Sequence, residues 1–282
     1  MPTKQYEFTT EDVEYLRHGD KPLTLRLYKP RGDGPFPAVI DLHGGAWTVG
    51  DLTACQACDE TLARSGVLAI GLNFRHAGDG HLASMEDINY AIRWVKAHAS
   101  DLRTRPDMVS ASGQSSGGHL AMLAAMRPND PRYGAIPLPA GSPAVDASLR
   151  SVGMLWPVIN PLSRYRHALR LRAGDNTPAW VGNIPERHEL YWKNEAAMAE
   201  GNPIMLLERG EKVKTPPALW IQGRPDQTHD YRDPESSFPG NEPERFAANY
   251  RRAGGHIDLT YIEQETRSSP ATYEMAAAFF LK

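Results

Sequence analysis

The chain has 282 residues, 41% of them hydrophobic, enough to bury one large core with at most a small appendage. Thirty-one lysines and arginines against 34 aspartates and glutamates leave a formal net charge of -3. No global field draws phosphate backbones or anionic lipid, which excludes nucleic acid as the natural partner. No apolar run approaches the roughly 18 residues of a membrane span, and the first residues lack an apolar leader core, so a cytoplasmic protein without membrane contact is expected.

In chain order, residues 23–28 alternate in the manner of a strand and 30–37 are turn-rich. A short apolar run at 38–42 stops at His43-Gly44-Gly45, and residues 67–74 make another. Between them 52–64 reads as a helix carrying Cys55 and Cys58. A Cys-x-x-Cys pair is compatible with a redox couple or half a metal site. No second pair completes four thiolate ligands, so two half-buried thiols on one helix face is the simpler reading and no metal is expected. Ile88, Ala91, Ile92, Val95 and Ala99 recur at helical spacing, with Ser84 as the N-cap. Strands at 108–112 and 151–156 flank a helix over 116–127.

Residues 157–214 break this rhythm, being rich in arginine and aromatics, with one helix entered at Asn183-Ile184-Pro185 and left at Gly201. An insertion over the sheet is the economical explanation. The rhythm resumes with a strand at 218–222, a helix at 243–252, a strand at 257–262 and a helix at 271–280. Short apolar strands alternating with helices mean parallel βα units and a mostly parallel, doubly wound sheet, an α/β fold in which 1–282 is one domain.

Gly113-Gln114-Ser115-Ser116-Gly117 falls between an expected strand and helix. Small residues around the serine permit the strained turn that lifts a nucleophile above a sheet. Upstream, Gly44 and Gly45 allow backbone N–H groups to approach a ligand without an intervening Cβ. Together with the amide of Ser116 they are candidates to stabilise an oxyanion. Packing glycines in a tight turn would account for either motif alone; the two in this order reinforce each other. His43 is expected to orient this loop rather than transfer protons, and Trp47 to contact substrate.

The stretches "LYKP...GPFPAVIDLHGGAWTVGD", "NFR...EDINYAIRWVKAHA", "GQSSGGHLA" and "PPALWIQGRPD" together resemble the α/β-hydrolase fold in its hormone-sensitive-lipase-like esterase branch, from about Leu23 to Phe280. The resemblance implies an eight-stranded type of sheet, Ser115 as nucleophile, and Gly44, Gly45 and Ser116 as oxyanion donors. It also implies a helical cap formed by 157–214, with 1–20 contributing. Gln114 stands where the family often has aspartate. Gly223-Arg224-Pro225-Asp226 matches the loop that carries the acid, which makes Asp226 the expected acid.

The family histidine belongs in the loop after the last strand, but residues 263–270 contain none. Arg267 occupies that place by register, and an arginine that never loses its proton is no general base. Only two histidines follow Asp226. His256 precedes the last strand, which puts it roughly 20 Å from the catalytic end. His229 lies three residues after Asp226, at the correct end of the sheet; the resemblance implies that this position faces the active site, so an imidazole there could reach Ser115 while Asp226 or Asp230 holds its other nitrogen. His76 and His81 also lie on the catalytic side, and His119 reads as a packed histidine of the elbow helix.

Arg164, Arg166, His167, Arg170 and Arg172 form a basic run near Tyr165, Trp180, Tyr191 and Trp192. It reads either as a solvated cap face or as a pocket for an aromatic or carboxylate-bearing acyl group, with Arg267 adding a charge-assisted bond. The expected activity is hydrolysis of carboxylic esters, or of related lactones or carbamates, through an acyl-enzyme at Ser115. The competing readings are a non-hydrolytic lyase or cyclase chemistry, and a hydrolase fold whose catalysis is impaired and whose pocket only binds. No phosphate-cradling loop or dinucleotide fingerprint is present, so no cofactor is expected, and 257–262 is an edge strand suited to pairing in a homodimer.

Overall fold

The computed structural model describes residues 5–282. In chain order the elements are β1 (Phe8–His18), β2 (Lys21–Pro30), β3 (Ala38–Leu42), α1 (Gln56–Arg64), β4 (Leu68–Leu72), α2 (Gly80–Ala97), β5 (Val109–Gln114), α3 (Ser116–Met126) and β6 (Val152–Leu155). Then come α4 (Pro161–Arg172), α5 (Ile184–Trp192), α6 (Glu195–Glu200), α7 (Pro203–Glu208), β7 (Ala218–Arg224), α8 (Glu242–Arg252), β8 (Ile257–Glu263) and α9 (Pro270–Phe280).

All eight strands form one sheet in the order β1-β2-β4-β3-β5-β6-β7-β8. β1 and β2 are antiparallel to their neighbours, and the remaining pairs are parallel. Every residue of β3 and β4 is buried, as expected for strands covered on both faces. One layer packs α1 and α9 against the sheet; the other holds α2, α3, α8 and the insertion. No helix among the described residues is long and apolar enough to cross a membrane.

The strand order reverses at β3. The chain leaves β3 for β4 on one side, then returns to place β5 on the other, with Leu42 opposite Gly113. Crevices at such a switch point, beyond the carboxyl ends of the strands, are where open α/β sheets bind ligands. Here that crevice brings the His43-Gly44-Gly45 loop against the serine turn.

The N-terminal segment corrects one expectation. Residues 8–18 do not contribute to a cap; they form the edge strand of the sheet, registered on β2 with a bulge between Glu14 and Leu16. Residues 1–4 of that expected contribution lie outside the described residues. The strand escapes a periodicity search because most of its residues are wet, only Tyr15 being fully buried, and ion pairs of Asp12 with Arg26 and Glu11 with Lys29 line much of it.

Two helix boundaries also differ. α2 begins at Gly80, a turn before Ser84, whose buried hydroxyl instead donates to the Arg75 carbonyl at 2.5 Å. The single helix expected over 184–201 is two, because Lys193 adopts φ 68° and Asn194 caps a new start by accepting from the Ala197 amide. Asparagine starts all four insertion helices, and Asn160-Pro161 and Asn202-Pro203 also place proline at the first helical position. Asn202 donates to Asn160 at 2.6 Å, which ties two of these starts together.

Cys55 and Cys58 are free thiols, more deeply buried than expected, with Cys55 just before α1. Burial, followed by the nearby Asp41 and Asp59 carboxyls, pushes both thiols up, so they stay protonated and poorly nucleophilic.

Candidate active site

Ser115 ends the turn between β5 and α3 with φ 52° and ψ -118°, a backbone conformation a non-glycine residue adopts only when its surroundings enforce it. Its amide donates to Leu155 O at 3.0 Å, and its carbonyl accepts from Val158 N at 3.0 Å, so the end of β6 and the segment after it clamp the turn from one side. From the other side Gly117 lies so close to β3 that a Cβ there would sit 1.9 Å from Leu42 O. Only glycine fits.

The loop after β3 approaches the serine in the same way. A Cβ on Gly44 would lie 3.2 Å from Ser115 Cβ, and Gly45 takes φ 110° with Val49 O 2.1 Å from where its Cβ would be. The Trp47 amide donates to Ser116 Oγ at 3.1 Å and fixes this loop to the start of α3. The amides of Gly44 and Gly45 have no acceptor among the described residues, and Ser116, first in α3, has no intrahelical acceptor for its own. Gly44 lies against Ser115 and Ser116 follows that serine, with Gly45 next in the same loop as Gly44.

His229 completes the arrangement. Its Nε2 is 3.1 Å from Ser115 Oγ, and its Nδ1 donates to Asp226 Oδ2 at 2.8 Å. The carboxylate at Nδ1 selects the tautomer in which Nε2 carries the free lone pair. Asp226 Oδ1 accepts from the Thr228 amide at 2.9 Å, and Oδ2 also accepts from Gln222 Nε2 at 3.2 Å. A spacing of three residues within the loop after β7 puts acid and imidazole in one turn. Asp230, the other candidate to hold His229, is instead taken by Arg224 and Asn241.

Arg267 stands where a histidine was sought, with Nη1 3.6 Å from Asp226 Oδ2 and its guanidinium 5.5 Å from the Trp156 ring centre. It is an ion-pair partner of the acid. Burial raises the Asp226 carboxyl, but the His229 bond and charge, the Thr228 amide and Arg267 together hold it below the usual aspartate range. For His229, burial lowers the imidazole most; Asp226 opposes this, while Arg164 and Arg267 add to it, leaving it below 6.5. It is therefore a neutral base at pH 7.

The other histidines are engaged elsewhere. His43 is buried, stacked on Phe74 with ring centres 4.5 Å apart, and burial pushes it down to about 4. His81 meets Glu200 at 3.3 Å and stacks on Trp192, and His76 sits edge-on to His43. His119 donates from Nε2 to Gly201 O at 2.7 Å and accepts at Nδ1 from Trp47 Nε1 at 3.3 Å. His256 is exposed and pairs with Asp258.

Trp47 requires a second correction. Its ring is 2% exposed and enclosed by His119, His188, Tyr191 and Trp192, so it locks the insertion to the elbow helix rather than facing a substrate. Gln222, not anticipated, is a buried amide that accepts from Trp220 Nε1 and donates to Asp226. Its only signal was a polar residue ending an otherwise apolar strand.

The BD-FAE family model matches residues 25–235. The probable carboxylic ester hydrolase LipM of Mycobacterium tuberculosis is 37% identical over 102 residues, 36% of this chain and 24% of LipM. The carboxylic ester hydrolase LipN of the same organism is 33% identical over 121 residues, 42% of this chain and 32% of LipN. The matched part thus spans about a quarter to a third of the length of these relatives. Among solved structures, an esterase from Pyrobaculum calidifontis superposes with a TM-score of 0.71 at 20% identity, over 96% of this chain and 85% of that one. An esterase from Thermogutta terrifontis gives 0.68 at 22% identity, over 100% and 95%. At such identities these two speak for the fold.

Proposed function

The chain belongs to the BD-FAE family and has the α/β-hydrolase fold, and from that premise we propose that it hydrolyses carboxylic esters through an acyl-enzyme on Ser115. The observation that carries this reading is the continuous relay from Ser115 Oγ to His229 Nε2 at 3.1 Å and from His229 Nδ1 to Asp226 at 2.8 Å. Ser115 Oγ attacks the carbonyl carbon as His229 Nε2 takes its proton, and Asp226 stabilises the imidazolium. The negative charge moves onto the former carbonyl oxygen, where the Gly44, Gly45 and Ser116 amides stabilise it. His229 returns the proton to the leaving alcohol, then draws one from a water that releases the acid. Lactones and carbamates pass through the same steps.

The non-hydrolytic and binding-only readings rested on a missing base, and no observation favours them once His229 stands beside Ser115. The reading is tested with p-nitrophenyl butyrate: wild type turns it over, and Ser115→Ala falls to the background rate while remaining folded. Equal rates for the two proteins would remove Ser115 from the chemistry.

Residues 157–214 act in this reading as the cap. The exposed remainder of Arg267, about 35% of its side chain, is available for a negatively charged substrate group. Unchanged affinity of Arg267→Ala for anionic esters would exclude that contact. A further consequence is electrostatic. Arg267 disfavours the protonated form of His229, so Arg267→Ala raises the His229 pKa and moves the acid limb of kcat/KM to higher pH. A limb that stays put, or moves to lower pH, argues against a direct charge effect. Two unpaired cysteines in place of a disulfide fit a reducing, cytoplasmic setting, and the outer edge of β8 is the surface through which a second copy would pair.

A further inference from the structure

The basic run of α4 resolves into two kinds of arginine. Arg166 pairs with Glu195 and Glu235, Arg170 with Glu235, and Arg172 with Glu186, so these three form an exposed ionic seam with other parts of the chain. Arg164 differs. Its residue is 4% exposed, no carboxylate among the described residues forms an ion pair with it, and its Nε and Nη1 are buried without an acceptor.

Its surroundings lie on the catalytic side. The guanidinium is 5.9 Å from the Trp180 ring centre, and its charge is felt by both Asp226 and His229. Trp180 Nε1 is a further buried donor with no acceptor. Arg187 adds a second positive charge nearby. Burial pushes Arg164 down only to about 10, so it remains a cation at neutral pH.

A buried cation with no carboxylate in ion-pair contact is costly, and proteins keep one where something else supplies the opposite charge. Here two N–H donors of Arg164 and, on the ring beside its guanidinium, Trp180 Nε1 are buried without acceptors, and the Arg164 charge reaches His229. A planar guanidinium fork matches a carboxylate. We infer that Arg164, assisted by Trp180 Nε1, is the subsite for an ionised carboxylate carried by the substrate, so that the preferred esters are acidic, such as monoesters of dicarboxylic acids. This inference rests on the esterase reading of Ser115 and names its substrate class.

Two matched pairs test it. Mono-p-nitrophenyl glutarate against p-nitrophenyl valerate places the charge on the acyl side; 4-acetoxybenzoate against methyl 4-acetoxybenzoate places it on the alcohol side. The expected result is a preference in kcat/KM of about tenfold or more for the anionic member of one pair, the size of one charge-assisted bond. Arg164→Gln abolishes that preference, whereas Arg164→Lys, which keeps the charge without the fork, retains part of it. A merely structural role would lower both members of a pair alike. Calorimetric titration of the wild-type protein with glutarate and with benzoate reads the subsite without catalysis, and still decides if Arg164→Gln fails to fold.

Hydrolysis of both members of each pair without anionic preference, together with no binding of either acid, overturns the inference and leaves the esterase reading intact. No hydrolysis of any of the four esters overturns the esterase reading. Binding of glutarate or benzoate that is lost in Arg164→Gln would then still support the anion subsite.

Discussion

Replacing His229 with alanine lowers kcat/KM for p-nitrophenyl butyrate by on the order of ten-thousand-fold, leaving the residual rate that oxyanion stabilisation and binding provide on their own. The loss is large because no second imidazole is placed to substitute. His119 is held at both nitrogens by Trp47 and Gly201, His81 by Glu200 and Trp192, and His43 stacks on Phe74. The same imidazole serves attack by the serine and attack by water, so acylation and deacylation slow together. In the wild type the rate falls at acid pH as His229 takes up a proton, with a midpoint below 6.5 because burial, Arg164 and Arg267 outweigh Asp226. A His229→Ala protein within tenfold of wild type would mean that another group serves as base.

Replacing Trp47 with alanine destabilises the protein by about 3–5 kcal/mol, the range for truncating a fully buried aromatic. The indole is stacked on Tyr191 at 5.8 Å between ring centres and meets the edges of His119, His188 and Trp192 at 5.0–5.5 Å. It joins the loop after β3, the elbow helix α3 and insertion helix α5 at one point. Truncation leaves a cavity there and strips His119 Nδ1 of its donor. The urea midpoint falls while the slope is kept. A loss below about 1 kcal/mol accompanied by a raised KM would instead restore the expectation that Trp47 faces substrate.

What the sequence allowed to be read follows from where the signals are local. β3 matches its expected 38–42 because five buried residues end at a glycine pair. β5 and α3 follow from the strand, turn and helix context of Ser115. β1 has no such signature, since most of its residues meet water and only Tyr15 is fully buried, while charged pairs such as Asp12 with Arg26 tie it to β2. The site divides in the same manner. Ser115, Gly44 and Gly45 are legible because a strained turn and close backbone approach demand small residues in fixed order. His229 is legible only through chain order and the lack of any histidine in residues 263–270. Asp226 and Arg267 meet across the ends of β7 and β8, and nothing in either segment alone announces their ion pair. The basic run of α4 could be counted but not sorted, because the carboxylates that neutralise three of its arginines come from distant segments, while Arg164 is distinguished only by their absence.

The relay from Ser115 through His229 to Asp226 is the central claim, and its most direct measurement is the rate of covalent modification by a fluorophosphonate, followed against pH and mapped by peptide mass spectrometry. The account predicts one adduct, on Ser115, forming at a rate that titrates with a midpoint below 6.5 and collapses in His229→Ala. An adduct elsewhere, or equal labelling rates with and without His229, would contradict it.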